Sequence, residues 1–261
     1  MRSIAKSLIL LWAIFITIFS FYSCVDEPLI EPLKRPYSVV RFVNLSSNLN
    51  SLQIKIFEGS EIVKTISNLQ QGSSTDYSDF LSGKHKFIIV SGTDTVYNKD
   101  IEFSSYERIT VVFAGWADTS KELNTFAPFK FEENEVYVSA APTSGTSNFY
   151  LINASTGTPT LDALKFELLG QRKLAADTIH KNFVHVGKFE YGNVYSYPNH
   201  TLGNYLFHFR ESGKAVSKIF YPADSLFNSK AGKRYYIYLY GAPDNLKVLM
   251  DEKDPLPIRS K

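Results

Sequence analysis

From Ser38 onward the chain alternates apolar and polar residues with a period of two, and this pattern constrains the fold more than any other feature. Leu52-Gln53-Ile54-Lys55-Ile56 is the clearest case. Such alternation suits a strand with one buried and one wet face, because successive side chains point to opposite sides of a sheet. His85 to Val90 and Arg108 to Ala114 are short runs of β-branched and aromatic residues, and 20 Phe and 16 Tyr against 2 Met add to the same bias. Turn chemistry separates the runs at Glu58-Gly59-Ser60, Ser82-Gly83-Lys84 and Ser91-Gly92-Thr93-Asp94. No stretch carries a sustained amphipathic helical stripe. Short strands with turn signals roughly every 8 to 12 residues predict an all-β, antiparallel sandwich.

The same order of motifs then recurs. Arg41-Phe42-Val43-Asn44-Leu45-Ser46-Ser47 is echoed by Tyr150-Leu151-Ile152-Asn153-Ala154-Ser155-Thr156, with Asn153 standing 109 residues after Asn44. Leu81-Ser82-Gly83 is echoed by Thr201-Leu202-Gly203, at an offset of 120 between the glycines. Arg108 to Gly115 is echoed by Arg234 to Gly241, at an offset of 126. Offsets that only grow are expected of a duplication whose second copy carries longer loops. The sequence therefore predicts two tandem Ig-like β-sandwich domains, 37–134 and 147–250, followed by a C-terminal tail, 251–261. The linker Ser139 to Gly145 predicts few contacts between them, each half owning its core.

These paired motifs resemble the family known as domain of unknown function number 4397, found in bacterial exported proteins and often in tandem. Val40 to Ser47 and Leu52 to Phe57 match its first strands, and Phe149 to Ser155 with Leu161 to Phe166 match them again. The motifs are structural, so the resemblance implies a β-fold and no catalytic or binding residue.

The N-terminus reads as an export signal, residues 1–23: Arg2 and Lys6 precede the apolar run Leu8 to Phe21, and Ser23 precedes Cys24. Phe21-Tyr22-Ser23-Cys24 resembles a lipobox, which implies a lipidated Cys24 and a membrane anchor. Phe21 and Tyr22 depart from the leucine and small residue usual there. An uncleaved transmembrane anchor and a plain secretory signal are the competing readings. Pro28, Pro32 and Pro36 make residues 24–36 an extended linker. Asp26-Glu27 behind the cysteine resembles the signal that sends lipoproteins of one Gram-negative phylum to the outer face of the outer membrane, against the alternative of an ordinary solvated linker.

Several functions are disfavoured. With Cys24, the only cysteine, given to lipid, no thiol remains for disulfides, thiolate metal sites or nucleophilic catalysis. A net charge of +2 supplies no basic stripe for nucleic acid. Nucleophile-elbow, zincin and phosphate-loop motifs are absent from the sequence. His180, His185, His200 and His208 lack metal-ligand spacing and read as scattered surface histidines. No catalytic residue, metal or cofactor is expected, and the chain reads as no enzyme.

Two sets of candidate sites remain. Tyr236, Tyr238 and Tyr240 share one face of a strand, where tyrosines either stack on sugar rings or pack across strands. Thr95, Thr178 and Ser225 lie in Asp-Ser/Thr-aliphatic triplets resembling periplasmic O-glycan acceptors. The leading expectation is a non-catalytic envelope lipoprotein that binds an unknown protein or glycan partner and is anchored to the outer membrane through Cys24. The alternatives are a glycan hydrolase using loop carboxylates such as Asp76, Asp79, Asp118 and Glu122, and a strand-pairing assembly subunit.

Overall fold

Strands occupy nearly all of the body, each where the period-two pattern or a continuous apolar run places it. In the computed structural model the described residues are 36–117, 125–133, 142–156, 161–167, 181–211, 217–221 and 227–254. The first half holds β1 (Tyr37–Ser46), β2 (Ser51–Glu58), β3 (Glu61–Gln70), β4 (Ser73–Ser74), β5 (Ser78–Leu81), β6 (Gly83–Ser91), β7 (Asp94–Phe103), β8 (Arg108–Gly115) and β9 (Ala127–Glu132). The second half holds β10 (Thr146–Ser155), β11 (Leu161–Glu167), β12 (Lys181–Phe189), β13 (Val194–Thr201), β14 (Asn204–Glu211), β15 (Ser217–Tyr221), β16 (Phe227–Asn228), β17 (Arg234–Ala242) and β18 (Asn245–Lys253). Cys24 and the whole of 1–35 lie outside the described residues.

Among the described residues the strands form four sheets. One runs β4-β1-β8-β9 with β5 also on β1; a second runs β3-β2-β6-β7; a third runs β13-β10-β17-β18; a fourth runs β12-β11-β14-β15 with β16 on β14. Three apolar clusters separate them into layers. Val40, Phe42, Ile109, Val111 and Phe113 of the first sheet meet Leu52, Ile54, Ile56, Phe87 and Ile89 of the second. Phe149, Leu151, Tyr235, Ile237 and Leu239 of the third meet Tyr205, Phe207 and Phe209 of the fourth. The alternate residues of the two inner sheets, Val43, Leu45, Val112 and Ala114 on one side and Tyr150, Ile152, Ala154, Tyr236 and Tyr238 on the other, form the third cluster. Strands β1, β8, β10 and β17 are thus buried on both faces, which is why apolar residues stand on both sides of each.

Three expectations need correction. The halves share a buried seam, so the anticipated scarcity of contacts across 139–145 does not hold. Asp251–Lys253, expected in a C-terminal tail, instead continue β18 and pair with Arg234–Tyr236. The central pairs β1/β8 and β10/β17 also run parallel, within an otherwise antiparallel arrangement. Parallel neighbours need a long crossover, and here β2 to β7 supply it for β1/β8.

The repeat is visible in the registers. Val39 pairs with Arg108 and Asn44 with Phe113; Asn148 pairs with Arg234 and Asn153 with Leu239, which is the same register shifted by the offsets of 109 and 126. Each Asn fixes an equivalent turn. Asn44 donates from Nδ2 to the Leu69 carbonyl at 2.9 Å and accepts from the Ser46 amide at 3.1 Å and hydroxyl at 2.6 Å. Asn153 donates to the Phe189 carbonyl at 2.7 Å and accepts from the Ser155 amide at 2.9 Å and hydroxyl at 2.5 Å. Buried side-chain amides that satisfy backbone groups in this way replace hydrogen bonds the turn would otherwise lose.

Candidate functional site

The most concentrated polar chemistry lies in the seam between the two inner sheets. Arg41, in the centre of β1, points away from its own sandwich core and is fully buried. Its Nη1 donates to Asp251 Oδ2 at 2.6 Å, its Nη2 to the Tyr238 hydroxyl at 3.1 Å, and its Nε to Thr110 Oγ1 at 2.8 Å. The guanidinium lies 3.9 Å from the centre of the Tyr236 ring, a cation–π contact in a dry setting, and 5.2 Å from that of Tyr77.

Glu133, just past β9, supplies the counter-charge. Its Oε1 accepts from the Tyr77 hydroxyl at 2.6 Å and from Thr110 at 2.5 Å, and its Oε2 accepts from the Tyr236 hydroxyl at 2.6 Å. Arg41 Nε stands 3.7 Å from Oε1, and Arg234 Nη1 stands 3.6 Å from Oε2. Thr110 therefore relays one chain of hydrogen bonds, accepting from Arg41 and donating to Glu133. Asp251 is the wetter carboxylate, with 13% of its side chain exposed; Ser74 donates to it at 2.9 Å and Lys253 stands 3.4 Å away.

The electrostatics follow from this geometry. Burial alone would pull the Arg41 pKa down, but Tyr238, Tyr77, Tyr236 and Glu133 more than offset it and hold the guanidinium well above its ordinary value. Burial pushes Tyr236 well above the usual phenol range, and the Glu133 carboxylate adds to the shift. Burial does the same to Tyr77 and Tyr238, against an opposing pull from Arg41 in both. The site is a charged, hydrogen-bonded knot that leaves its carboxylates engaged with internal donors.

The sequence candidates fall in different places. Tyr236 and Tyr238 are fully buried and Tyr240 nearly so. Their shared face is the one pressed against the first sheet, so the row is a packing face and not one presented to a sugar; Tyr150 stacks on Tyr236 at 4.8 Å with the rings 9° apart. Thr95 is exposed at the start of β7, directly after the Ser91–Asp94 turn. Thr178, Ser225, Asp118 and Glu122 lie outside the described residues, whereas Asp76 and Asp79 are exposed. His200 meets the Tyr205 hydroxyl at 3.2 Å through Nδ1, and His180 lies outside the described residues. Among the described residues no three His, Cys, Asp or Glu side chains gather as metal ligands would. Sequence reasoning missed Arg41, Glu133 and Asp251 as a unit. An arginine inside Val39-Val40-Arg41-Phe42-Val43 was the available signal.

No family model matches the chain. No curated protein matches it either. Among solved structures it is similar to a candidate cell adhesion protein from Bacteroides uniformis, at 9% identity over 84% of this chain and 98% of that one, with a TM-score of 0.28. It is similar also to the tip fimbrial protein Mfa3 from Porphyromonas gingivalis, at 11% identity over 84% and 99% of the two chains, with a TM-score of 0.27. A streptococcal virulence factor associated with alpha-glucan binding matches at 12% identity over 81% and 96%, with a TM-score of 0.23. Likenesses this distant carry no functional weight, and the functional reading rests on the molecule's own geometry.

Proposed function

We propose that this chain is a non-catalytic module of a bacterial cell envelope: a rigid β-body, lipid-anchored to the outer membrane through Cys24, that presents loops to a protein or glycan partner. One observation carries the non-catalytic reading. The strongest cluster of titratable groups, Arg41, Glu133, Asp251 and the tyrosines around them, is spent on joining the two halves and faces inward. A hydrolytic pair needs two carboxyls flanking a substrate, whereas Glu133 is buried among Tyr77, Thr110 and Tyr236. The membership suggested by the repeated strand motifs, tandem copies of domain of unknown function number 4397, belongs to the same proposal.

The geometry also speaks against a strand-pairing subunit. Edge strand β3 carries two irregularities in its pairing with β2, and Lys64 stands opposite buried Ile56. Edge strand β7 puts Lys99 opposite buried Phe87, and edge strand β9 contains Pro128. Bulges, inward lysines and prolines are the devices that keep edges from pairing with other chains.

Two measurements test the proposal. Labelling with radioactive palmitate should mark the wild-type chain and not Cys24→Ala, which should also leave the membrane fraction; retention of the variant would identify Leu8 to Phe21 as an uncleaved anchor. The mature chain incubated with envelope polysaccharides should retain ligand without releasing reducing ends. Release that disappears in Asp76→Asn or Asp79→Asn, with the melting temperature unchanged, would establish the hydrolase instead.

A further inference from the structure

We propose that the end of the body at which the chain enters β1 is a membrane-docking end, whose exposed apolar side chains settle into the headgroup region of a lipid bilayer. This rests on the anchoring read at Cys24. Seven large hydrophobic residues are notably exposed among the described residues, and four of them, Tyr37, Ile62, Val63 and Tyr106, gather at this end. Tyr106 donates its amide to the Tyr37 carbonyl at 2.9 Å. Lys64, next to Val63, donates to Ser78 Oγ at 2.6 Å and lies over the Phe80 ring. Ser78 and Phe80 pair with Val40 and Ser38, so the β2–β3 hairpin tip sits level with the start of β1.

The length of the preceding segment points to the occupant. Cys24 lies 12 residues before Pro36, a separation that no conformation stretches beyond roughly 43 Å. Such a tether keeps the entry end, of all parts of the body, within reach of the bilayer. Tyrosine is favoured in that zone because its ring is apolar and its hydroxyl stays wet. No basic patch adjoins these side chains: Lys84 stands opposite Glu102, Lys86 opposite Asp100, and the hairpin tip itself pairs Glu58 with Glu61. Apolar insertion is thus the attraction, and it should be insensitive to salt, unlike attraction of a basic patch to anionic lipid. Trp116 marks the far end, following Gly115, which pairs with Ser46 at the other terminus of β1.

The single cysteine allows a test that does not depend on cellular lipidation. The mature chain, beginning at Cys24, is coupled through its thiol to maleimide-phosphatidylethanolamine in vesicles of phosphatidylethanolamine and phosphatidylglycerol. Tyr106→Trp in a Trp116→Phe background reports one end, and unaltered Trp116 in the otherwise wild-type chain reports the other. Brominated lipid should quench the indole at 106 and not that at 116, equally in low and high salt. Ile62→Ser with Val63→Ser should weaken quenching at 106 roughly tenfold or more, given the apolar area removed, with the melting temperature unchanged. No quenching at 106, or equal quenching at both ends, overturns the proposal. Protection of 106 that appears without lipid and rises with protein concentration overturns it too, by identifying a second copy as the occupant. A failed palmitate label on Cys24 would leave the quenching result standing, so the two readings fail separately.

Discussion

Replacing Arg41 with methionine keeps the apolar stem and deletes the charge at the centre of the seam. Asp251 loses its 2.6 Å partner, Tyr238 its donor, and Thr110 the proton donor behind its bond to Glu133. Glu133 keeps Arg234 at 3.6 Å as its nearest cation. Removing one member of a buried ion pair costs about 3–5 kcal/mol, because the remaining charge stays desolvated and unpaired. For a body of this size that is a fall in Tm of about 9–15 °C, at about 3 °C per kcal/mol. Asp251→Leu should cost about 2–3 kcal/mol, at the lower end because its side chain is partly wet. The double variant removes both charges and fills the space with apolar atoms, so it should recover about 2 kcal/mol relative to the sum of the singles. Urea unfolding of the four proteins, read by circular dichroism with constant m-values, gives the cycle. Two singles that each cost under about 1 kcal/mol and add without coupling would show that the knot does not hold the halves together.

Alkaline pH should unlock the same seam. Tyr77, Tyr236 and Tyr238 have folded pKa values raised above the unfolded value of about 10, chiefly by burial. Between the unfolded and folded values the native state holds more protons, so the stabilisation is complete below about pH 10 and lost as pH rises, by about 4 kcal/mol per pH unit for three such groups; a separate share of the phenolate absorbance that develops only as the protein unfolds is the expected signature, and prompt titration of all tyrosines would contradict it. Gly115→Ala should cost about 2–4 kcal/mol, because φ is +99° and a Cβ there meets the Thr125 carbonyl oxygen. Gly59→Ala, at φ +60° with open space around it, should cost only about 1 kcal/mol in the same melts. Residues 36–133 and 142–254, expressed separately and mixed, should combine one to one, since each covers the other's second apolar face; two halves that stay monomeric by ultracentrifugation would restore the expectation of independent domains.

The β-class and the repeat were legible because both depend on local pattern. Period two in Leu52 to Ile56 needs only a buried side and a wet side, and the Asn-x-Ser turns at Asn44 and Asn153 close within a few residues of themselves. The seam was not legible in the same way. Tyr236, Tyr238 and Tyr240 were placed correctly on one face of a strand, but a face alone does not say what covers it. The stronger signal was that Tyr235, Ile237 and Leu239 are apolar too, and a strand apolar on both sides belongs inside a stack of layers. Glu133 follows Glu132 near the end of the first repeat, where nothing in the local sequence marks it as buried, while Asp251 stands at the start of the expected tail, 251–261. Their partner Arg41 is 210 residues from Asp251, and no local pattern encodes a pairing at that separation.

The two copies differ most tellingly where they face each other. By the repeat offsets Arg41 corresponds to Tyr150 and Thr110 to Tyr236. If both copies carried arginine at the first position, two guanidinium groups would enter one dry seam, and like charges in a low-dielectric setting repel strongly. The observed sequence instead stacks Arg41 on Tyr236 and Tyr236 on Tyr150. Divergence at the shared face and retention of the Asn turns within each half are what a fused, mutually covering pair requires. Tyr150→Arg should therefore be severe, about 4 kcal/mol or more, since Arg41, Arg108 and Arg234 already act on that position. Tyr150→Phe should cost about 1 kcal/mol, because it keeps the ring stack and removes one hydroxyl. Thermal melts of the two variants decide the matter: if arginine at 150 is tolerated as well as phenylalanine, charge asymmetry across the seam is not what fits the halves together.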